Sequence, residues 1–193
     1  MISEFLKWFN PAAGVIAVIT AWYTFYKNFL EGANVSVAPG GWVGLVVNRD
    51  PPRRFHIRGA LLNDAVKLGT LQHLKAEVKA PDGSVQRYVW NQPFKFMQGS
   101  NQVQPAGLPV PIPVPGKSSK PLLVQLQLVA PDMVSNWAQG RHRFKILGWV
   151  NCKNRESGPN VTCVFHVNIG APVASDPSQD YAFLDFPVEE WSC

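Results

Sequence analysis

Hydrophobic and polar positions divide the chain into two parts with different periods. Residues 8 to 26 carry no charged side chain, and the nearest charges are Lys7 and Lys27. As an α-helix this stretch would extend about 28 Å, close to the ~30 Å hydrocarbon core of a bilayer. From about residue 34 the chain changes to short apolar runs broken by Gly, Pro, Asn and Asp. Several runs alternate with period two. Leu123, Gln125 and Gln127 fall on one face of an extended segment, while Val124, Leu126 and Leu128 fall on the other. The pattern predicts strands over 42–48, 54–63, 71–80, 84–91, 122–130, 143–152, 161–169 and 181–188. Asp82-Gly83 lies between two of them and suits a tight hairpin turn. Short strands with turn signals and no second helix predict a mainly β fold. The expected architecture is an antiparallel β-sandwich over 34–193, preceded in 1–33 by a tail and a transmembrane helix at about 10–30.

The helix has recognisable ends. Asn10 suits an N-cap, and Pro11 at the first helical position sacrifices no helical hydrogen bond. Trp8 and Phe9 at one end, and Trp22, Tyr23, Phe25 and Tyr26 at the other, match the aromatic belts of two lipid–water interfaces. Ala13, Ala17 and Ala21 recur every four residues. With Gly14 they form a smooth stripe that a second transmembrane helix could approach closely. The rival reading is a helix packed on its own domain, but only Asn10, Thr20, Thr24 and the tyrosine hydroxyls interrupt the apolar surface. A cleaved signal peptide fits less well, because the basic leader is Lys7 alone and no small-x-small site precedes "EGA". Lys7 and Lys27 balance each other across the segment, so flanking charge leaves the orientation open. A short N-terminal tail favours the cytoplasm, which would place the β domain on the extracytoplasmic, periplasmic side.

Between the strands, over 104–121, Pro109, Pro111, Pro113 and Pro115 alternate with Val110, Ile112 and Val114. Each proline removes a ladder donor, so this segment is expected as an extended edge or crossover whose valines cover the core. Cys152 and Cys163 flank a hairpin centred on Ser157-Gly158. A register symmetric about that centre sets Cys152 opposite Cys163, Val150 opposite Phe165 and His166 opposite Trp149. Opposed cysteines would close a disulfide in an oxidising compartment, or remain two small buried thiols elsewhere. Cys193 is expected as an exposed thiol. Asn34-Val-Ser36 and Asn160-Val-Thr162 match the glycosylation triplet.

The phrase "WAQGRHRFKILGWV" (137–150) resembles the turn and long central strand of immunoglobulin-like and fibronectin-type-III-like domains. There, too, a glycine–aromatic turn leads into an alternating strand. The paired cysteines with an intervening tryptophan of antibody-type domains are missing. The resemblance implies a sandwich of a kind that mostly binds or spaces other molecules, and it transfers no active site.

Composition narrows the function. Hydrophobic residues make up 46% and charged residues 16% of the chain, against about 25% charged in ordinary globular proteins. Net charge is +5, yet no lysine–arginine run is interleaved with aromatics, so nucleic acid is not an expected partner. His56, His73, His142 and His166 fall in no metal-ligand spacing, and three cysteines cannot complete a tetrahedral zinc site. No nucleophile elbow or nucleotide-binding glycine motif occurs, so neither a cofactor nor an enzymatic activity is expected. Trp42, Trp90, Trp137, Trp149 and Trp191 exceed what one small core needs, which marks Trp90, Trp149 and Trp191 as expected partner contacts. These features point to a non-catalytic, single-pass membrane protein. Its expected role is accessory or structural subunit of a larger complex, with the bilayer and other membrane subunits as partners. The alternative is a membrane-anchored module binding carbohydrate or lipid through exposed tryptophans.

Overall fold

A computed structural model describes residues 2–47, 53–96, 103–129, 137–152, 158–173 and 182–193. Helix α1 (Ile2–Phe25) runs into a π-helical turn (Tyr26–Leu30), closed by the Glu31 N–H donating to the Tyr26 carbonyl at 2.8 Å. Ten strands follow: β1 (Val35–Val47), β2 (Arg54–Asn63), β3 (Gly69–Lys79), β4 (Val85–Phe96) and β5 (Val103–Pro105), then β6 (Ile112–Val114), β7 (Ser118–Leu128), β8 (Gly140–Val150), β9 (Val161–Ile169) and β10 (Ala182–Ser192). All their pairings are antiparallel.

The sheet closes on itself, which corrects the expected sandwich. Eight strands follow one another around a ring in the order β4–β7–β2–β1–β10–β9–β8–β3, and β3 pairs with β4 to complete it. One of the pairings that close the ring is local in sequence, and the other is not. The hairpin through Asp82-Gly83 joins β3 to β4 with Lys75–Lys79 against Val85–Val89, while β4 takes β7 on its other edge. In the turn, Gly83 adopts φ +87°, and the Asp82 carboxylate accepts the Ser84 N–H at 2.9 Å. Eight strands leave an interior just wide enough for side chains to fill. Phe55, Ile57 and Leu61 of β2 enter it, joined by Leu122, Val124 and Leu126 of β7 and by Phe144, Phe165 and Val167 from the opposite wall, all essentially inaccessible. The wall bends where β1 and β2 slip register between Pro39 and Val43. Glycine is required there: a Cβ on Gly59 would meet the Ala38 carbonyl oxygen at 2.3 Å, and one on Gly40 the Arg58 oxygen at 2.6 Å.

At the end where β1 begins, β3 and β4 part, and the proline-rich segment fills the opening. β5 pairs with the end of β4, and β6 lies against Gly69–Leu71 of β3. This is the expected edge crossover. Val114 is fully buried, whereas Pro113 and Pro115 point outward. Asn63 ties the closure together. Its amide nitrogen donates to the Lys67 carbonyl at 2.8 Å and the Val114 carbonyl at 3.0 Å, and its oxygen accepts the Ala65 N–H at 3.2 Å.

Three further expectations need correction: the start of the helix, the β8–β9 register and the pairing of the cysteines. Helix α1 runs through Asn10-Pro11 and does not begin there, so Pro11 sits inside the backbone helix. A proline is tolerated inside a helix when the freed carbonyl finds another partner. Among the described residues, no helix is long and apolar enough to cross a membrane. The β8–β9 register sets Cys163 opposite Ile146, six residues before Cys152 along the strand, and His166 opposite Arg143. The cause is Asn160, whose amide oxygen accepts the Val150 N–H at 2.8 Å while its nitrogen donates to the Val150 carbonyl at 2.7 Å. That side chain holds Val150 beside the start of β9. Cysteine pairing changes accordingly: Cys163 is bonded to Cys193, and Cys152 is a free, half-buried thiol.

Replacing Asn63 with Leu leaves buried backbone groups unsatisfied, so stability should fall by about 1–3 kcal/mol. The urea midpoint of the detergent-solubilised chain measures this. An unchanged midpoint would show that the end of the barrel is held by other contacts.

Candidate functional site

The most exposed apolar surface of the described residues is α1 itself. Every residue from Ala13 to Tyr26 is exposed, and no strand packs along the helix. Val15, Ile16, Val18 and Ile19 are 59–69% accessible, and Trp22 and Tyr23 are 64% and 60%. On a 3.6-residue helix these six positions fall within an arc of about 160°, and the opposite side carries Ala13, Gly14, Ala17 and Ala21 with the two threonines, so the surface has no charged or strongly polar side. Two hydroxyls that could create one are turned inward along the helix. Thr20 donates to the Ile16 carbonyl and Thr24 to the Thr20 carbonyl, each at 2.8 Å. Such i−4 bonds satisfy a threonine without water.

The four residues of the stripe expected from sequence all lie on α1. Ala13, Gly14, Ala17 and Ala21 are exposed, and a Cβ on Gly14 would meet nothing within 4 Å. Ala17 and Ala21 line an open groove with Thr20, Thr24, Phe25 and Asn28. At its end Trp22 lies 5.8 Å from Phe25, Tyr26 is exposed, and Lys27 sits 6.0 Å from the Tyr23 ring while pairing with Glu31 at 2.7 Å. Trp8 and Phe9 lie in the helix, but their side chains fall outside the described residues.

The three tryptophans expected to meet partners divide. Trp191 is 58% exposed, and Trp42, not singled out as a contact, is 51% exposed. Trp90 is buried in the barrel core, so it offers no surface. Trp149 points to the outer side of β8 yet is nearly covered. The His73 ring lies 5.4 Å from it, and the Lys75 ammonium is 5.3 Å from its centroid. Trp137, with Tyr88, Phe144 and Phe55, forms an aromatic stack at the barrel end remote from the helix. The Arg53 guanidinium lies 5.3 Å from the Trp137 ring, and burial lowers its pKa.

Sequence reading missed an inlay on the outer wall. His56 on β2 and Gln125 on β7 are direct cross-strand partners, joined by a 2.8 Å bond between His56 Nε2 and Gln125 Oε1, and both are inaccessible. Phe94 stacks on the imidazole at 4.5 Å. Beyond Gly44, which carries no side chain to fill the gap, Arg58 and Asp185 form an ion pair at 3.2 Å. The only advance signal was that both polar residues fall on the outward phase of their alternating strands. Burial pushes the His56 pKa down to about 4. The Gln125 bond and Asp185 oppose that push, and Arg58 and Arg54 add to it. A neutral, sealed imidazole cannot exchange protons with a substrate, so its evident work is joining β2 to β7.

Among the described residues no group of three His, Cys, Asp or Glu side chains could hold a metal ion. No protein-family model matches the sequence, and no curated protein matches it significantly.

The shifted histidine sets a pH dependence. Unfolded, His56 titrates near 6.5; folded, near 4. Between those values the unfolded chain binds a proton that the folded chain refuses, so stability present above pH 6.5 is lost as pH falls toward 4. Burial lowers His142 as well, which acts in the same direction. The loss attributable to His56 is at most about 3 kcal/mol. Urea midpoints of the detergent-solubilised chain should therefore drop between pH 7 and 4.5, and His56→Gln should flatten that slope. Parallel slopes for the two proteins would remove His56 as the cause.

Proposed function

We propose that the chain is a non-catalytic, membrane-anchored β-barrel module that serves as an accessory subunit of a larger membrane assembly. One observation carries this reading: the apolar surface of α1 is exposed on every side within this chain. A helix that is hydrophobic all round is ordinarily found inside a large protein or a bilayer. Each of Val15, Ile16, Val18 and Ile19 would gain about 1.5–3 kcal/mol on leaving water. The barrel does not cover them, so lipid or the helices of other subunits must.

The same helix supports the assembly half of the reading. Asn10, Gly14, two threonines and the tyrosines dilute its apolarity, and it falls short of a span by hydropathy. A helix of this kind gains most when other membrane helices pack on it. The groove along Ala17 and Ala21 would let a neighbouring backbone come close, where van der Waals contact drives association in lipid. The Cys163–Cys193 disulfide supports an extracytoplasmic barrel, because such bonds persist in oxidising compartments. With Trp90 and Trp149 covered, the rival reading of a carbohydrate- or lipid-binding face retains only Trp42 and Trp191 as exposed platforms.

Two measurements test the proposal on the full chain in its native membranes. Alkaline carbonate should leave the protein in the membrane pellet; release into the supernatant would defeat the anchor. Ala17→Leu should reduce co-purification of partner subunits in mild detergent several-fold while the chain stays in the pellet. Equal recovery would defeat the packing role of the groove.

A further inference from the structure

We infer that Cys163–Cys193 is a site of reversible thiol–disulfide exchange, and that the bond locks the second half of β10 onto the barrel. The argument begins with how that strand is held. From Ala182 to Pro187 it pairs with Trp42–Val47 of β1; it then pairs with β9 through Val188, Glu189 and Ser192. Pro187, at the changeover, has no N–H to donate. The β9 ladder slips between Glu189 and Ser192, and Glu190 takes φ 45°, a conformation disfavoured for a residue with a Cβ. Glu189 to Cys193 are all exposed, and only Phe186 and Val188 pack partly against the core. Beyond Val188 the described hold consists of a few ladder bonds, the exposed Arg141–Glu190 ion pair, a 3.9 Å contact between His166 Nδ1 and the Glu190 carboxylate, and the disulfide. Few buried contacts and an irregular ladder place a segment at the low end of local stability.

The two sulfurs differ in access. Cys163 faces the interior and is fully buried, whereas Cys193 is exposed. A thiolate of a dithiol reductant can therefore reach only the Cys193 Sγ. That attack forms a mixed disulfide on Cys193 and breaks the S–S bond, and Cys163 Sγ leaves as a thiolate that takes a proton. The second thiol of the reductant then attacks its own sulfur in the mixed disulfide. Cys193 is released as a thiolate and the reductant departs as a cyclic disulfide, two electrons having passed to the protein. A thiolate leaving into apolar surroundings is disfavoured, so exchange is slow while β10 lies in place and fast once it lifts. Reduction and release of the strand are thus coupled. The released state bares the β9 edge from Val164 to Val167, a row of backbone groups able to pair with another strand.

The inference stands apart from the membrane reading, and its test does not depend on it. The full chain in detergent is treated with dithiothreitol, alkylated with iodoacetamide and followed by mass spectrometry and amide hydrogen exchange. Untreated protein should alkylate at Cys152 and at neither Cys163 nor Cys193. After reduction, Cys193 should alkylate at least about tenfold faster than Cys163. Amides of Val188, Glu189 and Ser192 should exchange at least about tenfold faster, with β2 and β7 unchanged. Cys193→Ser should show the same exchange pattern without reductant. Alkylation of both cysteines in untreated protein would overturn the inference. So would unchanged β10 exchange after complete reduction, or acceleration spread over the whole barrel.

Discussion

Pairing of Lys75–Lys79 with Val85–Val89 turns a ten-stranded sheet into a ring, and the rest of the β domain depends on that closure. An open sheet of this size would expose two long edges of unpaired amides and leave one apolar face without a cover. Closing removes both edges and makes the sheet its own second layer. The interior must then be filled by side chains of fitting size, and it is: aliphatic residues line most of the wall, with an aromatic stack at one end. At the other end the ring opens because β3 and β4 diverge. The gap is sealed by a segment whose prolines make it unfit for a central strand. Buried Val114 and the three bonds of Asn63 show that the seal belongs to the core.

Period-two alternation located the strands well. β2 and β9 coincide with the expected ranges, and the other long strands differ by a few residues at their ends, β1 most of all. The β1 extension was hidden by Pro39-Gly40-Gly41, which reads as a turn in sequence but forms the bend of a continuous strand. The β8–β9 register was displaced by an even number of residues, so side chains predicted to point inward still do so. Closure itself was not legible. It depends on whether β4, having paired with its hairpin neighbour β3, also meets β7 some thirty positions away, and no local pattern encodes that meeting. The same holds for the partner of Cys163, since the candidate closest in sequence was not the one brought near by the sheet.

The candidate surfaces show the same division. That Ala13, Gly14, Ala17 and Ala21 share one side of α1 was legible because helical spacing is local. The tryptophans were not, because alternation says which side of a strand a ring lies on and not whether another residue covers it. Trp90 faces the core, and Trp149 faces outward but is covered, with His73 and Lys75 beside it. The buried His56–Gln125 pair went unnoticed for a related reason. Two polar residues in outward phase look solvated until Phe94, displaced by the β4 bulge after Trp90, stacks over one of them.

The chain therefore meets its surroundings in two unlike ways. The barrel satisfies its own backbone and hides its own apolar surface, apart from scattered side chains such as Trp42 and Trp191. From Ala13 to Tyr26 the helix turns its threonine hydroxyls onto its own backbone but hides none of its apolar surface. A segment complete in hydrogen bonds and incomplete in hydrophobic contacts is suited to a medium that offers contacts and no hydrogen bonds. Water offers the reverse. That mismatch is what lipid or other helices would resolve under the proposed anchoring.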